Sequence, residues 1–339
     1  MAEDEILVVG GAGYIGSHMC KYLRRRGYRP ITLDNLVCGH RAAVQWGPLI
    51  EGDIGDRAVL DRIFTGYDIK GVLHFAAYTS VPESVADPLK YYRNNVASTV
   101  CLLQAMVAHG VRPLIFSSSC ATYGDAGGKA LTETHPQQPA TPYGRTKWMV
   151  EQMLDDFGAA YGIRAVSLRY FNAAGADPDG RIGEDHRPET HLIPIILQTA
   201  LGQREFLSIY GEDYPTRDGT CVRDYIHVED LAQAHHLALV RLLDGGAGGK
   251  YNLGNGDGFT VREVLDRARK ITGETIPARI EARRPGDVPM LIGACEKAMS
   301  ELGWRPEFCD IDAIIQTAWD WHRRHPDGFA DRDKGGAAG

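Results

Sequence analysis

The stretch Ile6-Leu7-Val8-Val9-Gly10-Gly11-Ala12-Gly13-Tyr14-Ile15-Gly16 decides how this chain folds. A short apolar run, Ile6 to Val9, enters glycines at 10, 13 and 16, and a helix-like pattern follows from Tyr14 to Arg26 with Gly27 as its stop signal. Glycine permits positive φ and lets backbone N–H groups approach a pyrophosphate closely, and the helix N-terminus adds a dipole of favourable sign. Arg29 to Leu33 reads as the next strand and ends at Asp34, roughly 20 residues past the glycines, where a dinucleotide-binding βαβ unit carries its ribose-binding acid. The carboxylate of Asp34 repels a 2′-phosphate and Asn35 offers no compensating charge, so the expected cofactor is NAD rather than NADP; Arg41, close in sequence, is the one group that complicates this.

The alternation continues: helix pattern at Ala58 to Phe64, buried strand at Gly71 to Phe75, helix around Asn94 to His109, strand at Pro113 to Ser117, helix from Tyr143 to Tyr161, strand at Ala165 to Tyr170. Strands alternating with helices predict an α/β fold with a doubly wound parallel sheet of Rossmann type, covered on both faces, with ligands at the carboxyl ends of the strands. After Asn172 the texture changes. Residues 173–190 are rich in Gly, Asp, Pro and Glu and read as an irregular excursion, followed by helices at Leu192 to Leu201, Glu229 to Leu243 and Val261 to Thr272. The expected division is a nucleotide-binding part over 1–172, to which 222–255 returns, and a smaller C-terminal substrate-binding lobe over 173–221 and 256–326. The remainder, 327–339, has little to bury and is expected to be disordered.

Tyr143 and Lys147 stand one helical turn apart and share a helix face. An ammonium there favours the tyrosinate and is expected to lower the phenol pKa from its ordinary value of about 10. A phenol so tuned takes a proton from an alcohol and returns it to a carbonyl oxygen. Ser117-Ser118-Ser119 follows a strand, so one of these hydroxyls is a candidate third member of a proton relay. Asp53-Ile54 follows the short segment Leu49 to Gly52; its carboxylate suits either an adenine amino group or a helix N-cap. Phe75-Ala76-Ala77 at a strand tip suits either close approach of a nucleotide or plain core.

Composition narrows the class. The chain has 339 residues, 44% of them hydrophobic, and a formal net charge of -7, which argues against a surface made for nucleic acid. No apolar stretch is long enough to span a membrane and the acidic start MAEDEILVVG does not read as a signal peptide, so no membrane partner is expected. Seven cysteines without C-x-x-C spacing read as free thiols in a reducing compartment, with cytoplasm the expected address and no zinc framework. No metal is expected.

Taken together, GGAGYIG (10–16), LDN (33–35), GDI (52–54), HFAA (74–77), YYRNN (91–95), SSSCATYG (117–124), YGRTK (143–147), RYFNAAGA ending at Ala176, DGTCVRDYIHVED (218–230) and RRPGD (283–287) resemble the extended short-chain dehydrogenase/reductase family, and within it the nucleotide-sugar 4-epimerases. The resemblance covers residues 5–325. It implies NAD as cofactor, a UDP-sugar as substrate, a homodimer, and inversion of the sugar at C4 through a transient 4-keto intermediate. It implies Tyr143 as catalytic base, Lys147 as its partner and Ser119 as the hydroxyl on the sugar O4. Gly10, Gly13, Tyr14, Ile15, Gly16, Asp34, Asn35, Asp53, Ile54, Phe75, Ala76, Ala77, Asn94, Ser117 and Phe171 match cofactor-contacting positions. Asn172, His191, Leu192, Arg223, Tyr225, Arg284 and Asp287 match positions that hold the UDP part, where a guanidinium fork suits paired phosphate oxygens.

Three positions depart from the family pattern. Thr79 stands where many epimerases carry a lysine that reaches the cofactor, and His191 where many carry asparagine. Leu291 stands at a position that gates sugar size and is smaller than the tyrosine of strict glucose/galactose enzymes, so N-acetylated sugars, or pentoses such as arabinose, are conceivable substrates. Related dehydratases carry a carboxylate directly after the site hydroxyl; this chain has Cys120-Ala121-Thr122, which disfavours dehydration, and decarboxylation for the same reason. A non-catalytic sensor of bound NAD is the alternative of a different class, but such proteins lose the tyrosine or the lysine, and both are present here.

Overall fold

The computed structural model describes residues 3–124, 129–284 and 286–330. β1 (Glu5–Val9) passes through the glycine turn into α1 (Tyr14–Arg25), then β2 (Arg29–Asp34) and β3 (Leu49–Glu51). α2 (Arg57–Gly66) is capped by Asp56, whose carboxylate accepts from the N–H groups of Ala58 and Val59. β4 (Ile69–His74), the short α3 (Val81–Ala86) and α4 (Pro88–Tyr91), α5 (Ser98–Ala108), β5 (Pro113–Ser119), α6 (Pro142–Tyr161) and β6 (Arg164–Tyr170) complete the first half. The second half holds β7 (Asn172–Ala174), α7 (Leu192–Ala200), β8 (Leu207–Tyr210), β9 (Val222–Arg223), β10 (Tyr225–His227), α8 (Val228–Leu243), β11 (Gly249–Leu253), β12 (Phe259–Thr260), α9 (Val261–Thr272), β13 (Ala278–Glu281), β14 (Met290–Leu291) and α10 (Ile311–Arg324).

Seven strands form one parallel sheet in the order β3-β2-β1-β4-β5-β6-β11. The order reverses between β1 and β4, which opens a crevice at their carboxyl ends. Its central strands are apolar on both faces because helices cover both. On one face Ile6, Val8, Met19, Leu23, Leu231 and Leu239 pack α1 and α8 onto the sheet; on the other Leu7, Ile31, Leu60, Leu102, Leu114 and Val150 pack α2, α5 and α6. The predicted alternation of strands and helices therefore appears, with two further strands, β3 and β11, at its edges. Of the stretch 222–255, β11 lies in the large sheet and α8 on its face, whereas β9 pairs with β12 and β14. A separate core of Ile193, Ile196, Leu197, Val264, Ile314 and Ile315 joins α7, α9 and α10.

One expectation is refined and one corrected. The helix around Asn94 to His109 forms, but Tyr92–Ala97 is wound as a wider turn that runs without interruption into α5 at Ser98. There the buried Asn95 side chain bonds the backbone N–H and carbonyl of Tyr78 and the hydroxyl of Thr146 on α6. The expected structureless tail also begins too early. Phe329 is buried, its ring 4.9 Å from His40 and 5.4 Å from Trp321, because an aromatic that finds an apolar slot is held there. Residues 331–339, the rest of that tail, lie outside the described residues.

Candidate active site

The glycine turn is built to approach something closely. Gly10 has φ +81, and a Cβ on it would sit 2.6 Å from the backbone nitrogen of Ala76; a Cβ on Gly16 would sit 2.1 Å from the Gly10 carbonyl oxygen. Gly13 caps α1 with extended backbone and no side chain, and the first turn of the helix carries no acid. Free N–H groups and an uncompensated helix dipole thus face the crevice between β1 and β4. This cradle fits a dinucleotide pyrophosphate. Tyr14 is buried and donates to the carbonyl of Gly175 at 2.7 Å, and Ile15 packs on the core behind.

Asp34, at the tip of β2, accepts from Ala12 N–H at 3.0 Å and Leu36 N–H at 2.9 Å. Burial raises its pKa, against the pull of those two bonds. Asn35 donates to Asp53 at 2.9 Å, and Asp53 accepts from Gly55 N–H at 2.7 Å, so Asp53 is not the cap of α2; that role belongs to Asp56. Ile54 is core. Phe75 and Ala76 donate their N–H groups to Val9 O at 2.8 and 3.1 Å, which holds the Phe75-Ala76-Ala77 tip beside the glycines. Arg41 forms an ion pair with Glu51, an interaction that occupies its guanidinium. Asn94 donates to Asn95, and Thr79 is exposed.

The three serines part company, as strand alternation requires. Ser118 turns to the far face and donates to Glu151 at 2.6 Å. Ser117 pairs with the Tyr170 hydroxyl, and its carbonyl accepts from Lys147 Nζ at 2.8 Å. Ser119, whose hydroxyl accepts from Ala121 N–H at 3.2 Å, stands beside Tyr143, which α6 brings to the carboxyl end of β5. Thr141 caps that helix, Pro142 occupies its first turn, and Gly144 lets it close on the Cys120–Thr122 turn, where a Cβ would meet Ala121 O at 2.3 Å.

The electrostatics differ from the expectation. Burial pushes the Tyr143 phenol well above its usual value; the neighbouring Ser119 hydroxyl lowers it, and Tyr170 and Cys120 raise it further. Lys147 Nζ lies 6.0 Å from the centre of the Tyr143 ring and 4.9 Å from that of Phe116. Its own pKa is pushed down to about 7 by burial, against the attraction of Glu151. Desolvation therefore dominates both groups, because they sit in a dry pocket.

Across the site, Arg223 on β9 donates to the carbonyls of Val222 and Val288, and its guanidinium reaches to 3.6 Å from Asp287. Arg284 donates to Asp287 at 3.0 Å. Asn172 donates to Asp224 O at 2.8 Å, Tyr225 is buried, and Leu291 on β14 pairs with Arg223. Leu291 packs on Cys120, Tyr123, Leu131 and Phe171, the cluster that connects the serine strand to the arginines. His191 does not join this group. It caps α7 ahead of Leu192 and turns its ring toward Glu184 and Glu189.

Sequence reasoning missed several residues that shape the site. Glu151 accepts from Ser118, Gln137 and both forks of Arg169, and Arg169 passes the chain to Tyr123 and Asn252. Asp224, fully buried, accepts from the N–H groups of Asn255, Gly256 and Gly293 and gathers three loops. The signal for Glu151 was a carboxylate one turn beyond Lys147 on a buried helix face. Asp224 carried none.

The model of the NAD dependent epimerase/dehydratase family matches residues 6–254. The chain is 51% identical over 329 residues to a UDP-glucose 4-epimerase of Halalkalibacterium halodurans, covering 97% of this chain and 98% of the relative. It superposes on the crystal structure of UDP-glucose 4-epimerase from Brucella ovis in complex with NAD with a TM-score of 0.91 and 50% identity, covering 93% of this chain and 97% of that one. UDP-glucose 4-epimerase from Bifidobacterium longum in complex with NAD+ and UDP gives a TM-score of 0.91 at 39% identity, over 96% of this chain and 100% of that one.

Proposed function

Because the chain belongs to the NAD dependent epimerase/dehydratase family, we propose that it interconverts UDP-glucose and UDP-galactose by inverting C4 with NAD as cofactor. The observation that carries this reading is the hydroxyl pair Tyr143–Ser119 at the carboxyl end of β5, on the same sheet edge as the Gly10–Gly16 cradle. NAD, when bound, would supply the hydride acceptor and donor for C4. Tyr143 takes the O4 proton as the alcohol becomes a ketone and returns it on the opposite face of the sugar. Ser119 orients O4 through its own hydroxyl. Lys147, held by the Ser117 carbonyl, supplies the ammonium that stabilises the phenolate.

Arg223, Arg284, Asp287, Asn172, Leu192 and Tyr225 hold the UDP end while the 4-keto sugar turns over, so binding energy far from C4 retains the intermediate. Asp34, Asn35, Asp53 and the Phe75–Ala77 tip take the adenosine side, and Gly13, Tyr14 and Ile15 the pyrophosphate. The modest side chain of Leu291 leaves room for N-acetylated hexoses and for arabinose. The proposal includes a homodimer, for which α6 leaves Met149 and Tyr161 38% and 52% exposed. It also includes a cytoplasmic setting, in keeping with seven free cysteines. Among the described residues no helix is long and apolar enough to cross a membrane.

Tyr143→Phe tests the reading. It removes one oxygen from a buried ring, so the protein keeps NAD binding and loses turnover of UDP-galactose by about 10²-fold or more. Undiminished C4 inversion in that variant removes Tyr143 as the base.

A further inference from the structure

We propose that Glu184, His186, Glu189 and His191 form a binding site for one divalent transition-metal ion of the zinc class. The four lie within eight residues of the irregular excursion that precedes α7, in the spacing E-x-H-x-x-E-x-H. One ligand atom from each falls within 4.8 Å of all the others. His186 Nδ1 lies 3.1 Å from Glu184 Oε1 and 3.8 Å from Glu189 Oε2, and His191 Nδ1 lies 2.7 Å from Glu184 Oε1 and 3.2 Å from Glu189 Oε1. Tetrahedral zinc with nitrogen and oxygen ligands has ligand-to-ligand edges of about 3.3 Å; the edges from Glu184 Oε1 to the two imidazoles, 3.1 and 2.7 Å, and from His191 to Glu189 Oε1, 3.2 Å, lie near that length, and His186 reaches the other Glu189 oxygen at 3.8 Å.

Direction points the same way as distance. Glu184 Oε1 and His186 Nδ1 are buried and neither has a hydrogen-bond partner, although imidazole nitrogens stand within reach of the carboxylate oxygen. The rings thus do not aim their nitrogens along hydrogen bonds to that oxygen. A buried polar atom left in this way calls for a ligand or ion. Two buried carboxylates, with Glu184 3% and Glu189 7% exposed, also need positive charge beside them. Among the described residues their ion-pair partners are these two imidazoles alone.

The surroundings hold the ligands in place. Glu189 Oε1 accepts from the N–H groups of Thr190 at 2.7 Å and His191 at 2.8 Å, which orients its carboxylate. The His186 ring lies edge-on to Tyr14 at 6.3 Å. The His191 side chain is 45% exposed and gives the ion a way in. Four hard or borderline donors, two nitrogens and two oxygens, suit zinc or cobalt better than calcium or magnesium, which take oxygen. The ion would clip a segment without regular hydrogen bonding and set the angle at which the chain enters α7.

The full-length protein, stripped with a chelator and dialysed, is titrated with Zn(II) by calorimetry and with Co(II) by visible absorption. One equivalent binds, and cobalt shows the intense ligand-field bands of a tetrahedral site without a thiolate charge-transfer band. His186→Ala and Glu189→Gln, checked for folding by circular dichroism, each weaken Zn(II) binding by about ten-fold or more. Absence of saturable binding at one equivalent overturns the proposal. So does a thiolate band, which puts the metal on cysteine, or unchanged affinity in both variants.

Discussion

Glu151 stands one helical turn beyond Lys147 on α6 and is the charge that opposes the desolvation of its ammonium. The same carboxylate is clamped by both forks of Arg169 and by Ser118, so one buried acid ties the serine strand, the lysine helix and β6 together.

Replacing Glu151 by Gln leaves the buried Arg169 guanidinium unpaired and costs about 3–5 kcal/mol of stability. It also removes the attraction that keeps Lys147 protonated, so the lysine pKa drops further below its present value of about 7. In the proposed mechanism the charged lysine supports the phenolate, hence the alkaline fall of kcat moves to lower pH in the variant. A uniform loss of kcat at every pH would mean that Glu151 is structural only.

Asp34→Ala removes the acceptor for Ala12 and Leu36 N–H groups and the carboxylate proposed to meet the adenosine ribose. NAD affinity falls by about ten-fold or more, as expected for losing one charged hydrogen bond or more. NADP affinity falls less, because the variant no longer repels a 2′-phosphate. Fluorescence titration with both dinucleotides checks this; equal losses would make Asp34 a loop anchor and nothing else.

Leu291→Tyr fills the space beside Phe171 and Cys120. Turnover of UDP-N-acetylgalactosamine drops by about 10-fold or more, while UDP-galactose is turned over at a rate close to that of the parent, since a lost fit in a pocket is worth about 1–3 kcal/mol. Equal effects on the two sugars, in coupled assays run side by side, would show that Leu291 does not sense the N-acetyl group.

Glu229 at the start of α8 is raised to about 7 by burial; Asp177 and Asp179 raise it, Lys21 and Arg25 lower it. Below its ordinary value of 4.5 the folded and unfolded states both hold the proton, and above about 7 neither does. Between these limits only the folded state is protonated, so stability falls as pH rises through that window, by an amount on the order of 3 kcal/mol. Glu229→Gln lacks this slope. Relative to the parent it gains stability between about pH 5 and about pH 8, which urea midpoints measure directly. Parallel curves for the two proteins would refute the shift.

What the sequence disclosed follows the range of the forces involved. The βαβ start was readable because glycine turn, helix pattern and Asp34 are local, and Tyr143 and Lys147 were readable because a helix turns residues four apart to one side. Spacing alone left Ser117, Ser118 and Ser119 equal and only the family resemblance singled out Ser119; the strand shows that Ser118 points to the other face, toward Glu151. Asp53 suited an adenine contact and a helix cap equally well, and the cap went to Asp56. The Glu151–Arg169 pair joins a helix to the following strand, and Asp224 reaches Gly293 across 69 residues, so neither leaves a periodic trace. The expected acidification of Tyr143 failed for a related reason: spacing reveals which charges are neighbours but not how dry their pocket is. α10 has its cap at Asp310 and apolar residues at helical spacing, a pattern as plain as that of α9 once its packing on α7 and α9 is known.

The edge strand β11 arrives in the large sheet only after the chain has left it and threaded the smaller sheets. No single cut therefore separates a transplantable coenzyme module from a transplantable sugar module. A fragment ending near residue 221 would carry a bare β6 margin and lack the helix that covers α1. Recombination that swaps specificity in this architecture must exchange two noncontiguous gene segments at once, or work by point changes such as those at Leu291.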